Sequence, residues 1–582
     1  MTSNQKKGPV SVEDLREIAK ANGFSMRLQD EQGYLSIVRA AQESVDFVEN
    51  MPDYVHPCFA TDHSQGARMY TKPVPSENPL NAWSHRTHIK SPDAAAGTGL
   101  LAGKTIAIKD NVSVAGVPMT CGTQPFHLCK DKPAPIPIID APIVSRVLEA
   151  GAVITGTSTC ENYCLSAMSF TSATGPVDNP WLKGHSAGGS SSGSAVLIAV
   201  NMMKKWRESR GLATEHLGEG VDLATGGDQG GSIRVPAAYC GIYGLKPTHG
   251  LVPYTGIGSL FPIIDHCGPM APSVRDTALL LSVLAGYDGF DPRMTPETPL
   301  RSAVPQYHTR LDSEIAARAS AGTWTPQAAA RGLRVGILKE AFEIAGITSD
   351  VVAVVSQAAS RFATLGASVS EISVPLHLTA PHIFTAATRA YAADALLFGQ
   401  GSSSSPSLPF PFPGAGPMPM PDQNWYETMT ASNPLVIGLL LSSEFLRDRQ
   451  RYPESVRDKA VRHVHELRAA YDEALREFDV LVMPATPTVA LPHAEEGMGV
   501  GEKCELLLAN TLNTLPFDVT GHPGLVIPVG WGAAGDGDQG GNGGAKLPVG
   551  MQIVGKRWDE DSLFLAAAAW EVGGLGLGEG SN

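Results

Sequence analysis

Hydrophobic positions recur at helical spacing early in the chain and gather into short apolar runs further on. Ser11-Val12-Glu13-Asp14 has the form of a capping box and predicts a helix start. Leu35, Ile37, Val38, Ala41, Val45 and Val48 mark one apolar side of a second helix, from about Gln29 to Asn50. Proline-rich sequence from Met51 to about Pro92 keeps neither period and reads as irregular. From Leu101 the texture changes. KTIAIKDN and VITGT read as buried strands, and IVSRVLEAGA between them reads as a helix stopped at Gly151. That order predicts parallel strands joined by helical crossovers. AVLIAVNMMKKW and DTALLLSVLAGYDG read as helices, GLRVGILKEAF as a strand entering a helix, and FDVLVMPATPT as a buried strand. LPVGMQIVGKRWDEDSLFLAAAAWEVGG reads as strand, turn and terminal helix. Three stretches interrupt this pattern as insertions: residues 202–219, the Ser/Pro-rich 401–421 and the Gly-rich 531–545. No internal repeat is visible.

Composition narrows the function. At 582 residues the chain exceeds one ordinary core, and 43% hydrophobic with 18% charged residues is a globular balance. A net charge of −14 argues against nucleic acid as a partner, because phosphate binding needs a basic surface. The most basic short stretch, Lys204-Lys205-Trp206-Arg207, is too brief to change that and reads as a solvated loop. Eight cysteines include no CxxC pair, so neither a zinc site nor a disulfide framework is expected. The dinucleotide and P-loop patterns are absent as well, and no cofactor or metal is expected. No apolar run reaches the length of a membrane span, and the N-terminal residues lack a signal-peptide core. A cytoplasmic protein is the default expectation.

Candidate chemistry begins at residues 184–195, GHSAGGSSSGSA. Gly184-His185-Ser186-Ala187-Gly188 fits the elbow that presents a nucleophilic serine directly after a buried strand. The preceding GPVDNPWLKG holds two prolines and a turn, so no strand is predicted to end at Gly184, and Ser186 is set aside. A second Gly/Ser loop lies downstream in GGDQGGSIRVPAAYCGIYGLKPTHG, residues 226–250. Acyl transfer needs a nucleophile, a proton acceptor and N–H donors for the developing oxyanion. Ser232 follows Gly230-Gly231, and the N–H groups of Gln229, Gly230, Gly231 and Ser232 are the candidate oxyanion donors.

Two such loops with a strand-end lysine, Lys109, form a combination. The stretches AIKDN, AGGSSSGSA, GGDQGGSIRVPAAYCGIYGLKPTHGLVPYTG, DHCGPMAPSVRD, NTLPFDVTGHPGLVIPVG and LPVGMQIVGKRWDE resemble the amidase signature family, over roughly residues 75–570. The resemblance implies an α/β amidase-signature fold, a mixed central β-sheet covered by helices on both sides, with an N-terminal helical extension. It implies a Ser–cisSer–Lys triad: Ser232 as nucleophile, Ser190 as the bridging serine with a cis Gly189–Ser190 peptide, and Lys109 as the base. The expected activity is amide hydrolysis through an acyl-enzyme, acting on a small-molecule amide. The chemistry agrees. A serine hydroxyl needs a neighbour to take its proton. A hydroxyl relays protons because it donates and accepts at once. An amine accepts a proton only when neutral, a form that burial favours.

Supporting roles fall to Ser191, Asp228 and Arg234. Ser191 and Ser192 read as loop hydroxyls bonding the backbone. Asp228 reads either as a tie for the second loop or a lysine, or as a turn cap. Arg234 reads as a brace beneath the site. His249, His266 and His522 read as structural, since the mechanism needs no histidine. Two departures stand out. Ser190 and Ser232 are 42 positions apart, wider than the family usually shows, with the excess at about 202–219, and Ser192 stands where the family commonly has glycine. Within the family the texture is most similar to nitrile-pathway amidases of broad or enantioselective range, in which the extension contributes to a dimer. That implies residues 1–75 as a dimerising extension, 76–575 as the catalytic domain, and a homodimer. An esterase, an amidotransferase A-type subunit and a catalytically silent binding paralogue are the alternatives of the same fold. Residues 375–445 are expected to shape the acyl pocket. Leu408, Phe410, Phe412 and Trp425 read either as its lining or as cover for an insertion.

Overall fold

The computed structural model describes residues 8–52, 54–59, 61, 68–91, 99–129, 134–398, 419–448, 451–535 and 544–572. The chain divides into two compact units, Met1–His56 and Pro57–Asn582.

The first unit is a helical pair, Val12–Ala21 and Glu31–Glu49. Its first helix opens on the expected capping box: Asp14 N–H donates to Ser11 Oγ at 3.2 Å and Ser11 N–H donates to Asp14 Oδ2 at 2.8 Å. Arg16 grips Glu31 with two hydrogen bonds of 2.8 Å, joining the helices. Of the apolar side of the second helix only Leu35 is buried, while Ile37, Val45 and Val48 are exposed.

In the second unit, twelve strands among the described residues form one mixed sheet. In chain order they are β1 (Tyr70–Thr71), β2 (Trp83–Ile89), β3 (Thr105–Lys109), β4 (Val153–Ser158), β5 (Leu223–Asp228) and β6 (Tyr243–Lys246). Then come β7 (His266–Ala271), β8 (Arg334–Leu338), β9 (Ser368–Ile372), β10 (Val480–Pro484), β11 (Gly524–Ala533) and β12 (Lys546–Gly555). The spatial order is β1-β2-β4-β3-β5-β7-β6-β11-β12-β10-β8-β9. β4, β3 and β5 are mutually parallel at the centre of one half, and β10, β8 and β9 are parallel in the other. The antiparallel β7, β6, β11 and β12 join the halves. β5, β6, β7 and β10 are buried along their whole length, which requires helical cover on both faces. Ile106, Ile108, Val144, Val147, Ile154 and Ile198 of strands and covering helices are completely buried.

Three differences from the sequence reading have local causes. The stretch read as irregular contains β2, whose WSHRTHI is polar because it lies next to the sheet edge, under the two-residue β1. The strand GLRVGIL leads into a 3-10 turn, Lys339–Phe342, rather than a full helix. The helix after the first Gly/Ser loop runs from Ser192 to Glu208, well into the stretch read as an insertion, before a turn at Glu215–Leu217. Most of 401–421 lies outside the described residues, including Leu408, Phe410 and Phe412. β11 reaches into 531–545, where Ala533 pairs with Lys546 of β12. No helix among the described residues is long and apolar enough to cross a membrane.

Candidate active site

Parallel strands bring their C-terminal ends to the same edge of a sheet, where loops have room for a ligand. β3 ends at Lys109, its neighbour β4 at Ser158 and β5 at Asp228. The two Gly/Ser loops meet at this edge. Lys109 is fully buried, and its Nζ donates to Ser190 Oγ at 2.8 Å and reaches the Gly227 carbonyl at 3.5 Å. The Gly189–Ser190 peptide is cis. The loops are tied to each other. Ser191 N–H donates to the Ser232 carbonyl at 3.1 Å, and Ser191 Oγ donates to the Gly227 carbonyl at 3.2 Å while accepting from Gly227 N–H at 3.3 Å.

Ser232 itself is half-buried. Its hydroxyl makes no hydrogen bond among the described residues and lines an apolar cavity of about 260 Å3. Gln229 and Gly230 line the same cavity. Gly231 adopts φ +144°, and a Cβ there would run into Thr514, so glycine suits both the backbone and the packing. Thr514 Oγ1 donates to the Gly230 carbonyl at 2.5 Å, and Gln229 Nε2 donates to the Tyr254 hydroxyl. These bonds hold the turn at residues 229–232.

Beneath the turn lies an ionic floor. Arg234, completely buried, donates to Asp228 at 2.9 and 3.0 Å, to Asp518 at 2.8 Å, to Gln552 at 2.8 Å and to the Thr514 carbonyl at 2.7 Å. Burial alone would raise the Asp228 carboxyl, but the charge and hydrogen bonds of Arg234 outweigh it and hold Asp228 far below the ordinary range. Asp518 goes the other way: burial and the Asp228 charge push it well above the carboxylate range. Asp228 also accepts from Ile233 N–H at 3.1 Å, so it ties the second loop to the floor.

The other sequence candidates have plain structural places. Ser186 is fully buried and accepts from the N–H groups of Ser169 and Gly188 at 2.9 and 3.0 Å. His249 and His266 contact backbone carbonyls, and His522 pairs with Asp472 and Thr520. Burial lowers the pKa of all three, that of His249 to about 4. Trp425 is buried but donates to the Tyr163 hydroxyl at 3.1 Å and is not in the cavity wall.

Sequence reasoning missed several partners. Ser192, read as a loop hydroxyl bonding the backbone, donates instead to Glu161 Oε1 at 2.7 Å. Glu161 also accepts from Thr171 N–H and Oγ at 3.0 and 2.7 Å, yet burial pushes its carboxyl up to about 7. Asp110 is held by Ser84 at 2.8 Å and by Thr120, and burial likewise raises it to about 7. Asn111 is fully buried, with neither amide atom hydrogen-bonded among the described residues, beside a smaller cavity that shares Gln229. Lys109, Asp110 and Asn111 are consecutive, so a buried strand end rich in polar residues was the available signal. Glu161 and Thr514 carried none.

A buried amine on a hydroxyl, on a loop bonded to the one that carries a serine at a cavity edge, has the parts to move a proton. Known proteins agree on the class. The family model described as Amidase matches residues 80–205 and 218–564, leaving out only 206–217 between the two Gly/Ser loops. An enantioselective amidase of Rhodococcus rhodochrous is 37% identical over 510 residues, 87% of this chain and 85% of that protein. The A-type subunit of the glutamyl-tRNA(Gln) amidotransferase of Natronomonas pharaonis is 31% identical, over 81% of this chain and 96% of that protein. The crystal structure of peptide amidase from Stenotrophomonas maltophilia superposes with a TM-score of 0.57 at 26% identity, covering 81% of this chain and 83% of that one. The chain belongs to the amidase family. Its class is that of hydrolases acting on carbon–nitrogen amide bonds.

Proposed function

We propose that the protein hydrolyses a carboxylic acid amide to the acid and ammonia or an amine, through an acyl-enzyme on Ser232. The observation that supports this most is the buried 2.8 Å hydrogen bond from Lys109 Nζ to Ser190 Oγ, on a loop bonded to Ser232 at the edge of an apolar cavity. Ser232 Oγ attacks the amide carbon. Its proton passes to Ser190 Oγ as Ser190 gives its own to Lys109 Nζ. The carbonyl electrons move to oxygen, and the N–H groups of Gln229, Gly230, Gly231 and Ser232 receive the charge. Collapse restores the carbonyl and breaks the C–N bond while the relay returns the proton to the leaving nitrogen. Water then repeats the sequence on the acyl-enzyme and releases the acid. Asp228 and Arg234 hold the turn and touch no substrate.

Fluorophosphonate labelling followed by peptide mass spectrometry tests the assignment. Label on Ser232 that is lost in Lys109→Ala is expected. Label on Ser186 or another serine overturns it. Matched amide and ester substrates separate amidase from esterase, with measurable amide turnover expected. For assembly, we assign a homodimer contact to the N-terminal helical pair, because Ile37, Val45, Phe47 and Val48 of Glu31–Glu49 are exposed apolar side chains. Glutamate at both Val45 and Phe47 should give a monomer in light scattering. A variant that stays dimeric removes that assignment.

A further inference from the structure

Among the described residues, arginines drawn into the interior are answered by acceptors, with one exception. Arg234 meets two carboxylates, Arg293 meets Asp265 and Asp291, and Arg146 meets the carbonyls of residues 284–287. Arg389, half-buried, stands on the helix Ala380–Phe398, whose Phe384, Thr388 and Ala392 line the same cavity as Ser232. Arg389 lines it too, as the one charged side chain of the wall among the described residues. Its guanidinium has no ion pair or hydrogen bond among the described residues, and leucine is the commonest residue in the rest of the wall. Burial lowers its pKa and no neighbouring carboxylate opposes this. A cation held among apolar groups without a partner is costly, and a guanidinium fork fits a carboxylate with two parallel hydrogen bonds.

We propose that Arg389 is a specificity-determining residue that receives a carboxylate carried by the amide substrate, across an apolar spacer from the carbonyl attacked by Ser232. The substrate class is thus an anionic amide with an aliphatic middle. The inference rests on the amide-hydrolase reading above and adds the charge of the substrate. Ser232 and Gln229 at one part of the wall would take the reacting carbonyl, the leucines would take the methylenes, and Arg389 would take the charge.

The test compares half-amides of linear dicarboxylic acids with neutral primary amides of equal chain length, and N-carboxyalkyl amides with their neutral N-alkyl counterparts. The first pair places the carboxylate on the acyl side and the second on the amine side. In the wild type, kcat/KM should favour the carboxylate member of one pair by roughly 10- to 100-fold, the range of a charge-assisted bidentate contact. Arg389→Met should collapse that ratio through KM, Arg389→Lys should keep part of it, and Arg389→Glu should turn the preference toward an amide ending in an amine. Because each ratio is taken within one variant, a general loss of folded enzyme cancels. Hydrolysis of the neutral amides with no carboxylate preference, or a ratio unchanged in Arg389→Met, overturns the inference while leaving the amidase reading intact. Failure to hydrolyse any amide overturns the amidase reading instead. Calorimetric binding of the dicarboxylic acids to wild type and Arg389→Met then decides the anion site alone: tighter binding to the wild type supports it, and equal or no binding overturns it.

Discussion

The floor and the wall of the cavity use arginine in opposite ways. In the floor, Arg234 is surrounded by acceptors, and its bonds to Asp228, Asp518, Gln552 and Thr514 link the second loop to distant parts of the chain. In the wall, Arg389 has leucines for neighbours and no acceptor among the described residues. The floor pairs its arginine without substrate and the wall does not. A satisfied buried network holds geometry, whereas an unsatisfied one leaves binding energy for a ligand. The first region holds the turn that carries Ser232, and the second would choose the substrate.

The largest expected effect lies between the two regions. Ser232→Ala and Lys109→Ala should each lower kcat by about 1,000-fold or more, since residues acting as one relay fail together. The double variant should be scarcely worse than either single one, as steady-state kinetics on any accepted amide would show. Independent, multiplying losses would remove Lys109 from the relay.

The next largest effect sets the arginines against each other. Arg234→Met removes the guanidinium that bonds buried Asp228 and Asp518 and should destabilise by about 3–5 kcal/mol in urea unfolding. Arg389→Met removes an unpaired charge and should leave stability unchanged or raise it. Equal losses in both variants would erase the contrast.

A third effect concerns pH. The Glu161 carboxyl is raised from 4.5 to about 7 in the folded protein, so the native state holds its proton more tightly than the unfolded chain. Its contribution is greatest at low pH. Stability should fall as pH rises from 4.5 to about 7 and then level off. The full change is on the order of 3 kcal/mol. Glu161→Gln should remove this part of the slope, read as the difference between variant and wild type in urea unfolding at pH 5 and pH 8. An identical slope in both would mean that Glu161 does not titrate there. The smallest effect is the substrate selectivity of Arg389, in the ratios described above.

Much of the candidate triad and its loops was legible in the chain because their parts lie within short motifs. AIKDN, GGSSSG and GGDQGGSIR each place several functional groups within a few residues, and turn chemistry keeps them together wherever the rest of the chain goes. The strands carrying them were legible for a similar reason: short apolar runs such as TIAIK and LVMP have one economical home, a buried sheet. β2 escaped because its polar WSHRTHI owes its extended form to pairing with β4, a long-range contact that leaves no local period. Glu161, Thr514 and Asp518 escaped likewise, since their partners come from far along the chain.

The sequence alone determined the family, the reaction class and the residues of the two loops, because those depend on backbone conformations that particular neighbours enforce. The tertiary structure alone decided that Asp228 and Asp518 share one arginine, and that Arg389 faces the cavity without a partner among the described residues. Burial and pairing are properties of the assembled core. An arginine on an otherwise ordinary helix shows its meaning only when the surrounding surfaces have closed around it and left its charge unanswered.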